Sequence, residues 1–177
     1  MHPKKFALWL FIVTVFMVFA ALSSAYIVRQ ADGNWVVFEL PQLFLVTTAI
    51  ILISSGTMHW AYTSVKKNRL ESARLAIAIT TILGISFLAG QYMAWVELVK
   101  NNIHFVGNPS GSFVYVISGL HGLHIVGGVI FLIVVMFSIF QRKVHSKNYL
   151  RVEMCATYWH FLDGLWLYLF VFLLIYR

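Results

Sequence analysis

The sequence predicts an all-α integral membrane protein in which five transmembrane helices form one bundle. Three observations support this fold class. The chain of 177 residues is 60% hydrophobic and only 11% charged, whereas soluble domains average roughly 25% charged residues. Its apolar residues fall into five stretches, each longer than the roughly 20 residues that a helix needs to cross ~30 Å of hydrocarbon. None of these stretches alternates apolar and polar residues as a membrane-spanning barrel strand does.

Each stretch is expected to be a helix, because backbone groups in lipid must find their hydrogen bonds within the segment. The three prolines, Pro3, Pro41 and Pro109, all stand at the edges of stretches, where a missing N–H does least harm. We see no repeat and no soluble region, so residues 1–177 are expected to be a single membrane domain. In chain order, the helices are expected at about residues 6–28, 41–65, 74–99, 112–140 and 153–176.

The first stretch also resembles a signal peptide, because two lysines precede it and small residues follow it. Its apolar run covers residues 6–22, which is longer than the roughly 7–15 residues of a signal-peptide core. We therefore expect the first stretch to remain as a transmembrane helix.

Basic residues predict the orientation of the chain. Ten of the thirteen lie at the amino end, in the second loop or in the fourth loop, all of which fall on one side of the membrane. Basic loops stay cytoplasmic, so the amino terminus is expected inside and the carboxyl terminus outside. The net charge of +7 does not indicate nucleic-acid binding, because these residues are grouped in short loops between helices.

A histidine and a carboxylic acid, His160 and Asp163, lie inside the last apolar stretch. An ionisable side chain at the bilayer centre costs at least ~2.5–3.5 kcal/mol. Residues three apart in a helix lie on the same face. We therefore expect the two side chains to pair and so to reduce the cost of placing them in the bilayer.

Counting residues from the helix ends places the remaining polar side chains in two layers. The outer layer would contain Gln91 and His121, with His124 one turn deeper. The inner layer would contain His59, His160 and Asp163. Glu153 would lie at the inner mouth, near Arg151. A proton relay or a metal site is one interpretation, since histidine titrates near neutrality and binds metals. Hydrogen bonding that fixes helix packing is the interpretation we favour.

A transmembrane haem would need facing histidines from two helices, and only His59 and His160 come close. The single cysteine, Cys155, excludes an intrachain disulfide and a cysteine metal cluster.

Several motifs resemble those of subunit III of the haem-copper terminal oxidases. Glu39-Leu40-Pro41 resembles a short motif that precedes one helix of the family. Ser54-Ser55-Gly56 resembles a Ser-Gly stretch on that same helix. Gly84-Ile85-Ser86-Phe87 followed by Gln91 resembles the next helix. The most specific matches are Gly119-Leu120-His121-Gly122-Leu123-His124 and the segment from Glu153 to Tyr158-Trp159-His160-Phe161-Leu162-Asp163.

The resemblance implies a non-catalytic companion of the catalytic subunit I, in a complex that also contains subunit II and smaller subunits. The complex serves aerobic electron transport, reducing dioxygen to water and translocating protons. No haem or copper would be bound by this chain, because partner subunits carry them. Phospholipid would bind, and we expect headgroups at Arg142, Lys143 and Lys147, whose charges suit an anionic inner leaflet. The chain would lie in a bacterial inner membrane as a multi-pass protein.

Within this interpretation, Gln91, His121 and His124 would join helices 3 and 4. Glu153, His160 and Asp163 would anchor helix 5, with His59 as a partner. Two departures from the family stand out. Longer members have seven helices, so a missing pair would be absent, replaced by another subunit or fused elsewhere. Many relatives carry a membrane-embedded glutamate on the helix matching helix 1, where this chain has Val15.

Three alternatives stay open at this stage. The complex could be a quinol oxidase rather than a cytochrome c oxidase, or the chain could be an accessory subunit of a nitric oxide reductase. A small transporter is a third alternative, although transporters usually contain repeats and broken helices, and neither is visible here.

Overall fold

The computed structural model of the chain describes residues 2–144 and 149–176. These residues contain five α-helices and no strand, and every helix is long and apolar enough to cross a membrane. The predicted fold class is therefore confirmed. The helices are α1 (Pro3–Ala31), α2 (Leu43–Lys66), α3 (Leu70–Lys100), α4 (Pro109–Phe140) and α5 (Leu150–Tyr176).

Four helices, α1, α3, α4 and α5, begin three or four residues earlier than their apolar residues indicate. α1 begins at Pro3 and α4 at Pro109, rather than at residues 6 and 112. In both cases the preceding side chain caps the helix: His2 Nδ1 accepts a hydrogen bond from Lys4 N at 3.3 Å, and Asn108 Oδ1 accepts one from Ser110 N at 2.9 Å. A capped first turn with proline at its start is stable without apolar side chains.

Three helices end in the same tight turn. Asn68, Asn102 and Arg142 follow α2, α3 and α4 with φ angles of 56°, 60° and 53°. In each turn, the backbone N–H of the residue that follows donates a hydrogen bond to the carbonyl oxygen five residues before it, as in a Schellman motif. These bonds join Arg69 to Ser64, Ile103 to Leu98 and Lys143 to Ser138. Asparagine tolerates the left-handed conformation, whereas arginine at this position carries a steric cost.

Four helices form a closed ring, in which α2 packs on α3, α3 on α4, α4 on α5 and α5 back on α2. α1 lies outside this ring in the groove between α4 and α5. The starts of α1, α3 and α5 share one end of the bundle with the ends of α2 and α4. We call it the basic end, because most lysine and arginine residues lie there.

The centre of the ring is built around Trp159 of α5, which is fully buried. Its indole Nε1 donates a hydrogen bond to Ser54 Oγ on α2 at 2.9 Å. Its ring lies against Gly84 of α3 and Gly128 of α4, where an added Cβ would come within 2.7 Å and 3.1 Å of the indole. Glycine at these two positions therefore allows three helices to close around one large side chain.

Candidate functional site

A polar cluster joins α2 and α5 in the half of the bundle nearer the basic end. Ser55 Oγ of α2 lies 2.7 Å from Nδ1 of His160. The ring of His59, one turn from Ser55, lies 6.2 Å from the ring of His160. His59 is exposed on the bundle surface, and His160 is half-buried. The two histidines that the depth argument placed in one layer are thus neighbours.

Asp163 does not pair with His160, so that expectation is wrong. The Asp163 side chain is buried, and neither carboxyl oxygen has a hydrogen-bond partner among the described residues. His160 instead bonds Ser55. A spacing of three residues places two side chains on one helix face, but it does not decide whether they bond each other.

Gln91 joins α3 to α2 and not to α4. Its Nε2 donates to Thr47 Oγ1 at 3.3 Å, and its Oε1 has no partner within the described parts of the chain. Thr47 lies close against α3 at a second point, because a Cβ added to Gly90 would lie 2.5 Å from its methyl group. The hydroxyl and the glycine together fix the crossing of α2 and α3.

His121 lies in an aromatic box and has no exposed surface. Its ring stacks on Trp166 of α5 with centroids 5.2 Å apart, and Phe87 and Phe19 meet it edge-on at 6.0 Å and 6.3 Å. Neither ring nitrogen has a hydrogen-bond partner in the described residues. Trp166 is itself fixed by a bond from Nε1 to Thr48 Oγ1 of 3.0 Å. His121 therefore packs as an aromatic ring between α1, α3 and α5.

His124 faces α1. Its Nδ1 lies 2.6 Å from the carbonyl oxygen of Leu120, and its ring lies 6.3 Å from Phe11 and 5.7 Å from Phe19. These two phenylalanines stand one turn before and one turn after Val15, which is buried. His124 is thus directed at the part of α1 that contains Val15, the position where the resemblance implies a glutamate in many relatives.

Glu153 forms an ion pair that the sequence did not indicate. Its Oε1 lies 2.6 Å from Lys5 Nζ, which ties the start of α1 to the start of α5. Arg151, which we expected near Glu153, donates instead to Ser138 Oγ of α4 at 3.4 Å. The sequence signal that could have indicated this pair is that Lys5 and Glu153 both lie at the basic end.

A pocket of about 420 Å³ opens at the basic end between α1, α5 and the loop after α4. Basic or imidazole side chains line much of it: His2, Lys4, Lys143 and Arg151. Of the three expected headgroup residues, Lys143 lines this pocket and Arg142 is not among its described lining. Lys147 lies outside the described residues.

Metal-ligand side chains are dispersed in the part of the chain that the structure describes. There, no three histidine, cysteine, aspartate or glutamate side chains come together in a way that would hold a metal ion. His59 and His160 are a pair. That haem and copper are bound only by other subunits stays a prediction.

Comparisons of the sequence with known proteins give its family. The family model described as cytochrome c oxidase subunit III matches residues 2–177. Cytochrome c oxidase subunit 3 of Petromyzon marinus is 36% identical over 135 residues, which cover 76% of this chain and 49% of the relative. The chain thus spans about half the length of that relative.

Quinol oxidase subunits match over more of their length. Cytochrome bo(3) ubiquinol oxidase subunit 3 of Buchnera aphidicola is 27% identical over 176 residues, covering 97% of this chain and 93% of the relative. The protein of the same name from Pseudomonas aeruginosa is 31% identical over 170 residues, which cover 93% of this chain and 81% of the relative. The resemblance seen in the sequence motifs is confirmed, and the chain belongs to the cytochrome c oxidase subunit III family.

Proposed function

We propose that the chain is the non-catalytic subunit III of a haem-copper respiratory oxidase in a bacterial inner membrane, with its amino terminus in the cytoplasm. The family match over residues 2–177 carries this proposal. In such a complex, partner subunits hold the haems and copper and reduce dioxygen to water. This chain would stabilise subunit I and bind phospholipid. The electron donor would be cytochrome c or a quinol, because relatives of both names match.

The contacts of the buried polar side chains support a structural role. His160 bonds Ser55, Gln91 bonds Thr47, and His121 packs among aromatic rings. Side chains that are held by neighbouring helices in this way fix helix packing. These contacts support our proposal that the buried polar side chains fix helix packing.

Lipid binding is supported by the pocket at the basic end. Lys4, Lys143 and Arg151 line a concave space with room for an anionic phosphate group. Each basic side chain near an anionic leaflet contributes about 1 kcal/mol of attraction. Changing Arg142, Lys143 and Lys147 to glutamine should remove bound phospholipid, as measured by native mass spectrometry of the purified complex. An unchanged lipid content would contradict headgroup binding at these residues.

The first test of the function is purification of the tagged chain in mild detergent, followed by a reduced-minus-oxidised visible spectrum. Haem bands should co-purify with a larger subunit and disappear when the tagged chain is isolated from it. Haem bands that stay with the isolated chain would make His59 and His160 candidate ligands and would refute a companion role.

Activity of the purified complex then identifies the reaction. We expect dioxygen consumption with reduced cytochrome c or with a quinol, and the better substrate identifies the donor. Consumption of nitric oxide without dioxygen consumption would instead assign the chain to a nitric oxide reductase.

A further inference from the structure

One surface of the bundle differs from the others in its chemistry. It consists of Ser55, Gly56 and His59 on α2 together with His160 and Gly164 on α5, and we call it the α2–α5 groove. Gly56, His59 and Gly164 are exposed. A Cβ added to either glycine would meet no atom within 4 Å, so both glycines leave open space in the surface.

Depth makes this exposure significant. His59 lies seven residues before Lys66, the last residue of α2, which is about 10 Å along the helix. Ionisable side chains at membrane depth almost always face protein or a water-filled cavity, because hydrocarbon offers no hydrogen bonds. The bond to Ser55 uses one nitrogen of His160, so its second nitrogen and the exposed ring of His59 retain hydrogen-bonding capacity.

The outward faces of α3 and α4 have the composition expected of a lipid contact. Most of their exposed side chains are large and apolar, among them Leu75, Ile82 and Ile85 on α3 and Leu123, Ile130 and Val134 on α4. The exposed small residues on these two helices are Ala89 and Gly127. These side chains suit acyl chains. The α2–α5 groove instead combines imidazoles with uncovered glycines, the two features by which membrane helices recognise each other.

We propose that the α2–α5 groove is the contact surface for a transmembrane helix of a neighbouring subunit. That helix would cross the two glycines with a small side chain. It would also present a hydroxyl, amide or carboxyl group at the depth of His59 and His160. The inference rests on the proposed function, because an oxidase complex supplies a membrane-embedded partner.

The open glycines give a test in which the chain and its partner respond differently. Gly56→Leu and Gly164→Leu place a side chain in space that the chain itself leaves empty. The chain should therefore fold and insert normally, while its recovery with the haem-containing subunit falls at least tenfold. Gly122→Leu on α4 is the matched control, because its Cβ also meets nothing within 4 Å, and it should leave recovery unchanged. Full recovery of the complex with both groove variants would overturn the proposal.

A second measurement does not depend on loss of assembly. The photo-crosslinking residue p-benzoylphenylalanine in place of His59, within the intact complex, should give a covalent product with a second subunit that mass spectrometry identifies. The same residue in place of Ile85, which is exposed on α3, should label lipid. Labelling of lipid alone from position 59 would show that the groove faces the bilayer.

The two proposals fail differently in these experiments. A complex that contains haem but cross-links only to lipid from position 59 would retain the oxidase assignment and refute the groove. A protein cross-link in a purified complex that lacks haem would support the groove and refute the oxidase assignment.

Discussion

Replacing Gly84 with alanine tests how tightly Trp159 is held at the centre of the ring. The new Cβ would lie 2.7 Å from Cη2 of Trp159 and 3.2 Å from a methyl carbon of Val129. Carbon atoms pack best at about 3.5–4.0 Å, so the indole would have to move by roughly 1 Å. Gly128 lies close against the same ring, and the 2.9 Å bond to Ser54 opposes the movement.

The magnitude follows from three contributions to the free energy of unfolding. Overpacking of a filled core costs about 1–3 kcal/mol. Weakening the indole hydrogen bond costs up to about 1.5 kcal/mol. Alanine favours the helix over glycine by about 1 kcal/mol, which offsets part of the loss. We therefore expect Gly84→Ala to destabilise the chain by up to about 3.5 kcal/mol, a change of up to roughly 300-fold in the unfolding equilibrium constant.

The assay is equilibrium unfolding of the purified chain in detergent by titration with SDS, followed by circular dichroism. Gly122→Ala is the matched control: its Cβ meets nothing within 4 Å, so it should stabilise by up to about 1 kcal/mol. Combining Gly84→Ala with Trp159→Phe should cost less than the sum of the single changes, because the smaller ring relieves the contact. Equal stability of the Gly84 and Gly122 variants would refute the reasoning.

Three further changes have defined outcomes in the same unfolding assay. Arg142→Gly should stabilise by about 1 kcal/mol, because it removes a side chain from the left-handed conformation; a loss of stability would contradict this. Lys5→Gln should cost up to about 1 kcal/mol, and adding Glu153→Gln should cost little more, since the two residues form one pair. Fully additive losses would count against the pair. Thr48→Val should cost about 1–3 kcal/mol by leaving the buried indole N–H of Trp166 unsatisfied. Thr48→Ser, which keeps the hydroxyl, should restore most of that stability, and equal losses from both variants would rule out the bond as the cause.

Hydropathy predicted the number of helices but not their ends. The prediction for α4 began at residue 112, whereas the helix begins at Pro109, because Asn108 caps a polar first turn. α3 likewise begins at Leu70 rather than at residue 74. A window of apolar residues measures the part of a helix that lies in hydrocarbon, and the helix continues into the interface wherever its backbone groups find partners.

Depth along a helix predicted that His59 and His160 are neighbours, but it could not assign hydrogen-bond partners. Gln91 bonds Thr47 of α2, although helix 4 was the expected neighbour. α3 packs against both α2 and α4, so counting residues along α3 does not decide between them. The orientation of each side chain around the helix axis comes from the packing of the whole ring.

The position of α1 outside the ring bears on the order of events during synthesis. Among the described residues α1 packs only on α4 and α5, and roughly 80 residues separate its end from the start of α4. At about 5–20 residues per second, the ribosome needs roughly 4–16 s to add them. During that time α1 stands alone in lipid, which its apolar composition permits. Lys5 meets Glu153 only after α5 has emerged, so this ion pair completes the assembly rather than starting it.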